Sequence, residues 1–394
     1  MTAPLLRRGP RPLLLHLMLA MLKSAASLSA WPSSNAGWTG AETQASLQAI
    51  LGRAASAEGF PQALIEELVR QDRGLIAGIA AYRRHPWHRT LEDPPAIWRE
   101  GESRLLDYGG DGPTVLFVPS LVNRAHVLDL AEGRSMMRHL AGQGMRVLLL
   151  DWGWPGEVER QFTLTDYVAG RLERALLALP GTVILAGYCM GGLLTMAAAQ
   201  RRPDRVRALA LLATPWDFHA ADRDRAEQVA GLAPLLEPAM ALTSTVPIDA
   251  LQLLFAMLDP WSIAEKYRGF GALDQDSDRA RMFVALEDWL NDGVPLAAPV
   301  ARECLSGWYG ANTPGRGTWR IAGAAVTPHQ LDMPSFVAVP ARDRIVPPES
   351  ARPLAALIPG AVLHAPAAGH IGMVAGAAAE RALWRPFAEW VSGV

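Results

Sequence analysis

Thr182-Val-Ile-Leu-Ala-Gly187-Tyr188-Cys189-Met190-Gly191-Gly192-Leu-Leu-Thr-Met-Ala-Ala-Ala199 decides how this chain is read. The run from Thr182 to Ala186 is apolar and partly β-branched, which predicts a fully buried strand. The small-residue run after Gly192, rich in Ala, Leu and Met, predicts a buried helix ending near Arg202-Pro203. Between them lies Gly-x-Cys-x-Gly, the strand–turn–helix setting of a nucleophile elbow with cysteine in the reactive place. The glycines have a physical reason. A sharp turn strains the nucleophile's backbone, and neighbouring main chain passes too close for a Cβ. The plainer reading is a buried thiol in a Gly-rich turn.

Composition narrows the classes. The chain has 394 residues, half of them apolar, enough for one large domain with an insertion or for two domains. A net charge of −2 gives no case for nucleic-acid binding. Only Cys189 and Cys304 are available, so no disulfide framework is expected, and a reducing cytoplasm fits. The nine histidines form no metal-ligand cluster with Cys or acidic residues; His85-Pro-Trp-His88 comes nearest. No cofactor is implied.

Outward from the elbow, the chain is expected to divide into four stretches. Residues 1–90 form an apolar and helical accessory region. It opens with Arg7-Arg8 and Leu13-Leu-Leu-His-Leu-Met-Leu-Ala-Met-Leu22. This has the basic and apolar parts of a signal peptide. His16 interrupts it and Lys23 follows at once, so a helix lying on a lipid or polymer surface, or on the protein's own body, is the favoured reading. Leu47, Ile50, Leu51 and Leu64, Ile65, Leu68 continue a helical period.

Residues 91–218 begin with a hairpin around Glu100-Gly-Glu-Ser103 and then alternate strand and helix. Buried strands are expected at Thr114–Val118, Arg146–Asp151 and Val206–Ala213. Residues 219–333 lose that rhythm and read as an inserted helical cap. Residues 334–394 resume it at Ser335–Pro340 and Ala361–Ala365. The pattern predicts an α/β fold with a mainly parallel, doubly wound sheet, whose ligands bind at the carboxyl ends of the strands.

A cysteine nucleophile needs a base, and the base needs an orienting carboxylate. In α/β-hydrolases they follow in the order nucleophile, acid, histidine. Asp343, on the loop after the resumed strand, and His370, after the last strand, stand in that order. Asp343 competes with a capping role for the helix near Pro347, and Asp217 and Asp332 are weaker candidates for the acid. Cys304 has no glycine elbow and reads as a helix-face residue. An oxyanion hole is expected from the backbone N–H of Met190 and of Leu121 or Val122. A thiol nucleophile forms a thioester, which suits passing an acyl group onward from another thioester.

These residues carry a resemblance. Gly187-Tyr-Cys-Met-Gly-Gly192 is similar to the lipase-like box, with Cys, of the polyhydroxyalkanoate synthases, which have an α/β-hydrolase fold. Phe117-Val-Pro-Ser-Leu-Val-Asn123 with Val127-Leu-Asp129-Leu130 resembles the family's strand and oxyanion loop, Thr214-Pro-Trp-Asp217-Phe218 its segment after the next strand, Trp308-Tyr-Gly-Ala-Asn312 its Tyr-x-x-Asn element in the cap, and Asp343-Arg-Ile-Val-Pro347 and Gly369-His370-Ile371 its acid and base segments. The resemblance spans roughly residues 95–394. It implies an acyltransferase that polymerises 3-hydroxyacyl-CoA through an acyl thioester on Cys189. CoA would be released as part of the substrate, and the growing polyester chain would be the second partner. His370 would be the base, and Asp343 would orient it or act through it on the 3-hydroxyl. A polymer-granule surface, met through the N-terminal region, and a second copy of the chain are further candidate partners. A Cys-dependent hydrolase of thioesters or polyester oligomers stays open, as does a catalytically silent granule-binding protein.

Overall fold

The computed structural model describes residues 7–30, 59–257 and 259–394. The helical period read at Leu47, Ile50 and Leu51 lies outside them. The chain forms two compact units, one of Met1–His88 with Ala256–Asn291, the other of Arg89–Phe255 with Asp292–Val394.

The second unit is built on an eight-stranded sheet. Its strands are β1 (Ala96–Glu100), β2 (Ser103–Asp107), β3 (Thr114–Val118), β4 (Arg146–Asp151), β5 (Val183–Tyr188), β6 (Val206–Leu212), β7 (Ser335–Ala338) and β8 (Val362–His364). They lie in the order β1-β2-β4-β3-β5-β6-β7-β8. The β1–β2 hairpin and the β2–β4 pair are antiparallel, and every later pair is parallel. The expected α/β-hydrolase architecture is therefore present. β5 is buried along its whole length, as a central parallel strand covered on both faces must be. Val118 pairs with Gly187, and Gly187 with Leu211, so the carboxyl ends of β3, β5 and β6 finish level. The elbow sits at that end.

Helices between β6 and β7 that belong to this unit include Arg223–Ala230, Ala233–Thr243 and Ile248–Ala256, and Ala298–Arg302 running into a π-helical segment, Glu303–Gly310. Two helices inside the 219–333 stretch, Ser262–Gly271 and Asp278–Asn291, fall in the first unit.

That first unit also holds helices Leu13–Ala30 and Phe60–Arg84. Leu75, Ile79, Tyr82, Tyr267, Phe270 and Val284 form its apolar centre. The backbone of Tyr267 passes so close to Gly78 that a Cβ there would overlap its carbonyl. Buried Glu287 is satisfied by Lys266 Nζ at 2.6 Å and by the Tyr267 hydroxyl at 2.9 Å. The first helix turns His16 and Ala20 inward and leaves Leu14, Met18, Met21 and Leu22 exposed. No described helix is long and apolar enough to cross a membrane.

Candidate active site

Close packing builds the elbow. Cys189 holds φ 58° and ψ −129°, outside the comfortable regions for a residue with a side chain. Its N–H donates to Leu212 O at 2.8 Å, and its carbonyl accepts from Gly192 N at 3.0 Å. A Cβ on Gly187 would collide with Thr195 Oγ1 and Gly192, on Gly191 with the carbonyls of Val118 and Pro119, and on Gly192 with the Thr214 side chain. Each glycine thus lets one neighbour approach: the elbow helix (Met190–Arg201), the end of β3, and the loop after β6. Cys189 sits partly buried at the centre.

Asp343 and His370 meet as a pair. Asp343 Oδ2 lies 2.6 Å from His370 Nδ1. Its other oxygen, Oδ1, accepts from the N–H groups of Ile345 and Val346 at 2.8 and 2.9 Å. The carboxylate therefore closes its own loop and orients the imidazole at once, and the helix Pro348–Leu357 begins without a side-chain cap. Both residues are buried. The Tyr188 hydroxyl donates to His370 O at 3.2 Å, and the two rings stand 5.1 Å apart. Burial alone would lower the His370 pKa. The neighbouring Cys189 sulfur and the hydrogen-bonded Asp343 outweigh it and raise the value to about 10.

The other residues singled out from the sequence fall as follows. Asp217 is engaged elsewhere: its Oδ1 accepts from Asn312 Nδ2 at 2.8 Å and from His219 N at 3.0 Å. Asp332 is exposed. Cys304 is buried on the π-helical segment, and burial raises its pKa well above the ordinary thiol range. Met190 opens the elbow helix, where N–H groups have no partner inside the helix. In the loop after β3, Val122 N–H turns to Ser120 Oγ at 3.3 Å. The indole of Trp152 donates to Pro119 O at 3.1 Å and fixes that loop. Among the described residues, no group of three or more His, Cys, Asp or Glu could hold a metal ion.

Three features were not foreseen. Thr214 packs behind the elbow, Asn312 bridges to the loop after β6, and Tyr309 lies near enough for the Cys189 charge to add to the burial that raises its phenol pKa. Their segments carry part of the family resemblance, but nothing in the sequence pairs residues 217 and 312.

Residues 113–377 match the α/β-hydrolase fold family, and with the sheet order this makes the chain a member of that fold. Three relatives narrow it further, each a poly(3-hydroxyalkanoate) polymerase subunit PhaC. The one from Haloferax mediterranei is 30% identical over 312 residues, covering 75% of this chain but only 62% of the relative's length. That from Allochromatium vinosum is 29% identical over 308 residues, 74% of this chain and 86% of the relative. That from Synechocystis sp. is 30% identical over 291 residues, 71% of this chain and 77% of the relative. The chain belongs to the PhaC family of poly(3-hydroxyalkanoate) polymerases.

Proposed function

We propose that the protein polymerises 3-hydroxyacyl-CoA, with Cys189 carrying the acyl group, His370 moving protons and Asp343 orienting His370. The observation that carries this reading is the strained cysteine at the strand–helix turn beside a buried, carboxylate-bound histidine. In the first half, the Cys189 thiolate attacks the thioester carbonyl carbon. The bond to the CoA sulfur breaks, and the proton on His370 goes to the departing CoA thiolate. The carbonyl oxygen carries negative charge in passing, and the N–H groups of Met190 and Leu121 are its donors. Leu121 is preferred to Val122 because Val122 N–H is engaged by Ser120.

In the second half, His370, now neutral, takes the proton from the 3-hydroxyl of an incoming unit or chain. The oxygen attacks the acyl thioester, an ester forms, and the Cys189 thiolate is released. Thioester-to-thioester exchange is close to balanced in energy, and the later step to an ester runs downhill. No cofactor enters these steps.

Incubation with 3-hydroxybutyryl-CoA, following CoA release and product size together, tests the reading. CoA release with insoluble polymer is expected. Soluble 3-hydroxybutyrate as the sole product would mean that water takes the acyl group, and would replace polymerisation by hydrolysis.

A further inference from the structure

Asn312 holds a backbone conformation that few side chains tolerate, with φ 50°, and is almost wholly buried. Its amide reaches across to the loop after β6: Oδ1 accepts from Phe218 N at 3.0 Å while Nδ2 donates to Asp217 Oδ1. The same loop is tied on its other side, where Trp216 N and Asp217 N donate to Ser350 O at 3.1 and 3.0 Å. His219 completes the joint, with Nε2 2.8 Å from Tyr309 O. Between these bonds the Phe218 ring rests 5.0 Å from Tyr309 and 5.6 Å from Trp308. Phe218 and Cys189 pack against the apolar cluster that contains Trp308. Trp308 Nε1 is buried without a hydrogen-bond partner.

We propose that Asn312 and Asp217 form a clasp that sets the aromatic wall of Phe218, Trp308 and Tyr309 beside Cys189, which makes Asn312 a positioning residue for acyl-group recognition. The substrate named here rests on the function proposed above; the clasp itself does not. The hydrogen-bond pattern is directional. Asn312 must accept from one backbone N–H and donate to one carboxylate oxygen, so aspartate in its place sets two carboxylates against each other. Exchanging the two residues restores the bond between them and the bond from Phe218 N, while His219 N loses its acceptor at position 217. The amide, moved to position 217, donates across the same gap, and the carboxylate, moved to position 312, accepts from that amide and from Phe218 N.

The test compares Asn312→Asp, Asp217→Asn and the exchange Asp217→Asn/Asn312→Asp. Asn312→Asp is expected to raise KM for 3-hydroxybutyryl-CoA about tenfold with kcat within about threefold, and the exchange, which remakes the 217–312 bond but not the His219 N bond, to lower KM again about threefold or more. Acidification should also lower the raised KM of Asn312→Asp, because a proton shared by the two carboxylates remakes the bond. An unchanged KM, or an exchange that fails to rescue, overturns the clasp. A second readout needs no turnover: the ratio of Cys189 alkylation rates with N-phenylmaleimide and iodoacetamide, followed by peptide mass. The ratio should shift in Asn312→Asp and return in the exchange; an unchanged ratio counts against the clasp. If the unaltered protein turns over no 3-hydroxyacyl-CoA, the proposed function falls and the alkylation ratio still decides the clasp. Should Asn312→Asp not fold, Asp217→Leu, which removes the acceptor of Asn312 Nδ2, is read by the same two measurements.

Discussion

His370, which is buried, and His126, which is half-buried, belong to the same unit, and their pKa values are driven in opposite directions. His126 sits on the short turn Ala125–Leu128, just after the loop that follows β3. Burial, reinforced by Arg89 and Arg124, lowers its pKa to about 4, and Asp292 and Asp151 only partly oppose them. His370 is the more deeply buried, but Cys189 and Asp343 overcome the effect of burial. Removal from water therefore does not set the charge of a histidine; the sign of its close partners does. One ring is pushed toward its neutral form and the other toward its charged form.

The sharpest way to break this contrast is Cys189→Ala. CoA release should fall by about 10⁴-fold or more. The His370 pKa, followed by imidazole NMR, should drop as well, because the sulfur is the largest influence raising it. Retained CoA release would remove Cys189 from the chemistry. Asp343→Asn comes next. It keeps the shape but weakens the hold on Nδ1, and acylation of Cys189 in a single turnover should slow on the order of 10³-fold. An equal rate in the variant would make Asp343 a loop-closing residue only.

The smallest effect concerns stability, and the two histidines should report at opposite ends of the pH scale. For His126 the folded value lies below the ordinary 6.5, so its contribution is complete above pH 6.5 and is lost as pH falls toward about 4. That loss amounts to about 2–3 kcal/mol. Urea midpoints between pH 7 and 4 should show it, and His126→Gln should flatten that part of the curve; an unchanged slope would place the acid sensitivity elsewhere. For His370 the folded value lies above 6.5, so its contribution is complete below pH 6.5 and fades as pH rises through about 10. Cys189→Ala should shrink that alkaline loss.

Much of this was legible from residue order. The elbow is a local signal: an apolar run, a Gly-bounded turn and a small-residue helix lie within 18 residues, and each glycine proved to face a neighbour that leaves no room for a Cβ. Asp343 and His370 were legible because a parallel sheet returns each loop to the same edge, so order along the chain becomes proximity. Asp343 makes no cap bond to the helix Pro348–Leu357; its Oδ1 accepts within its own loop while Oδ2 meets His370, a division that residue order does not encode. The Asp217–Asn312 bond escaped because it joins side chains 95 residues apart, and no period or composition encodes such a match. The helix Ser262–Gly271 also went unread. Its buried Tyr267 and Phe270 are explained by close approach to Gly78, a partner nearly 200 residues away.

The fixed carboxylate of Asp343 has a consequence for the order of events. With Oδ1 tethered to two backbone amides, the group cannot swing out to take a proton for itself. In the reaction proposed above, all proton traffic would then run through one imidazole, emptied by the departing thiol before an alcohol refills it. The site would work as a turnstile, with one passage in each direction per ester bond and no second monomer admitted until the first carrier has cleared.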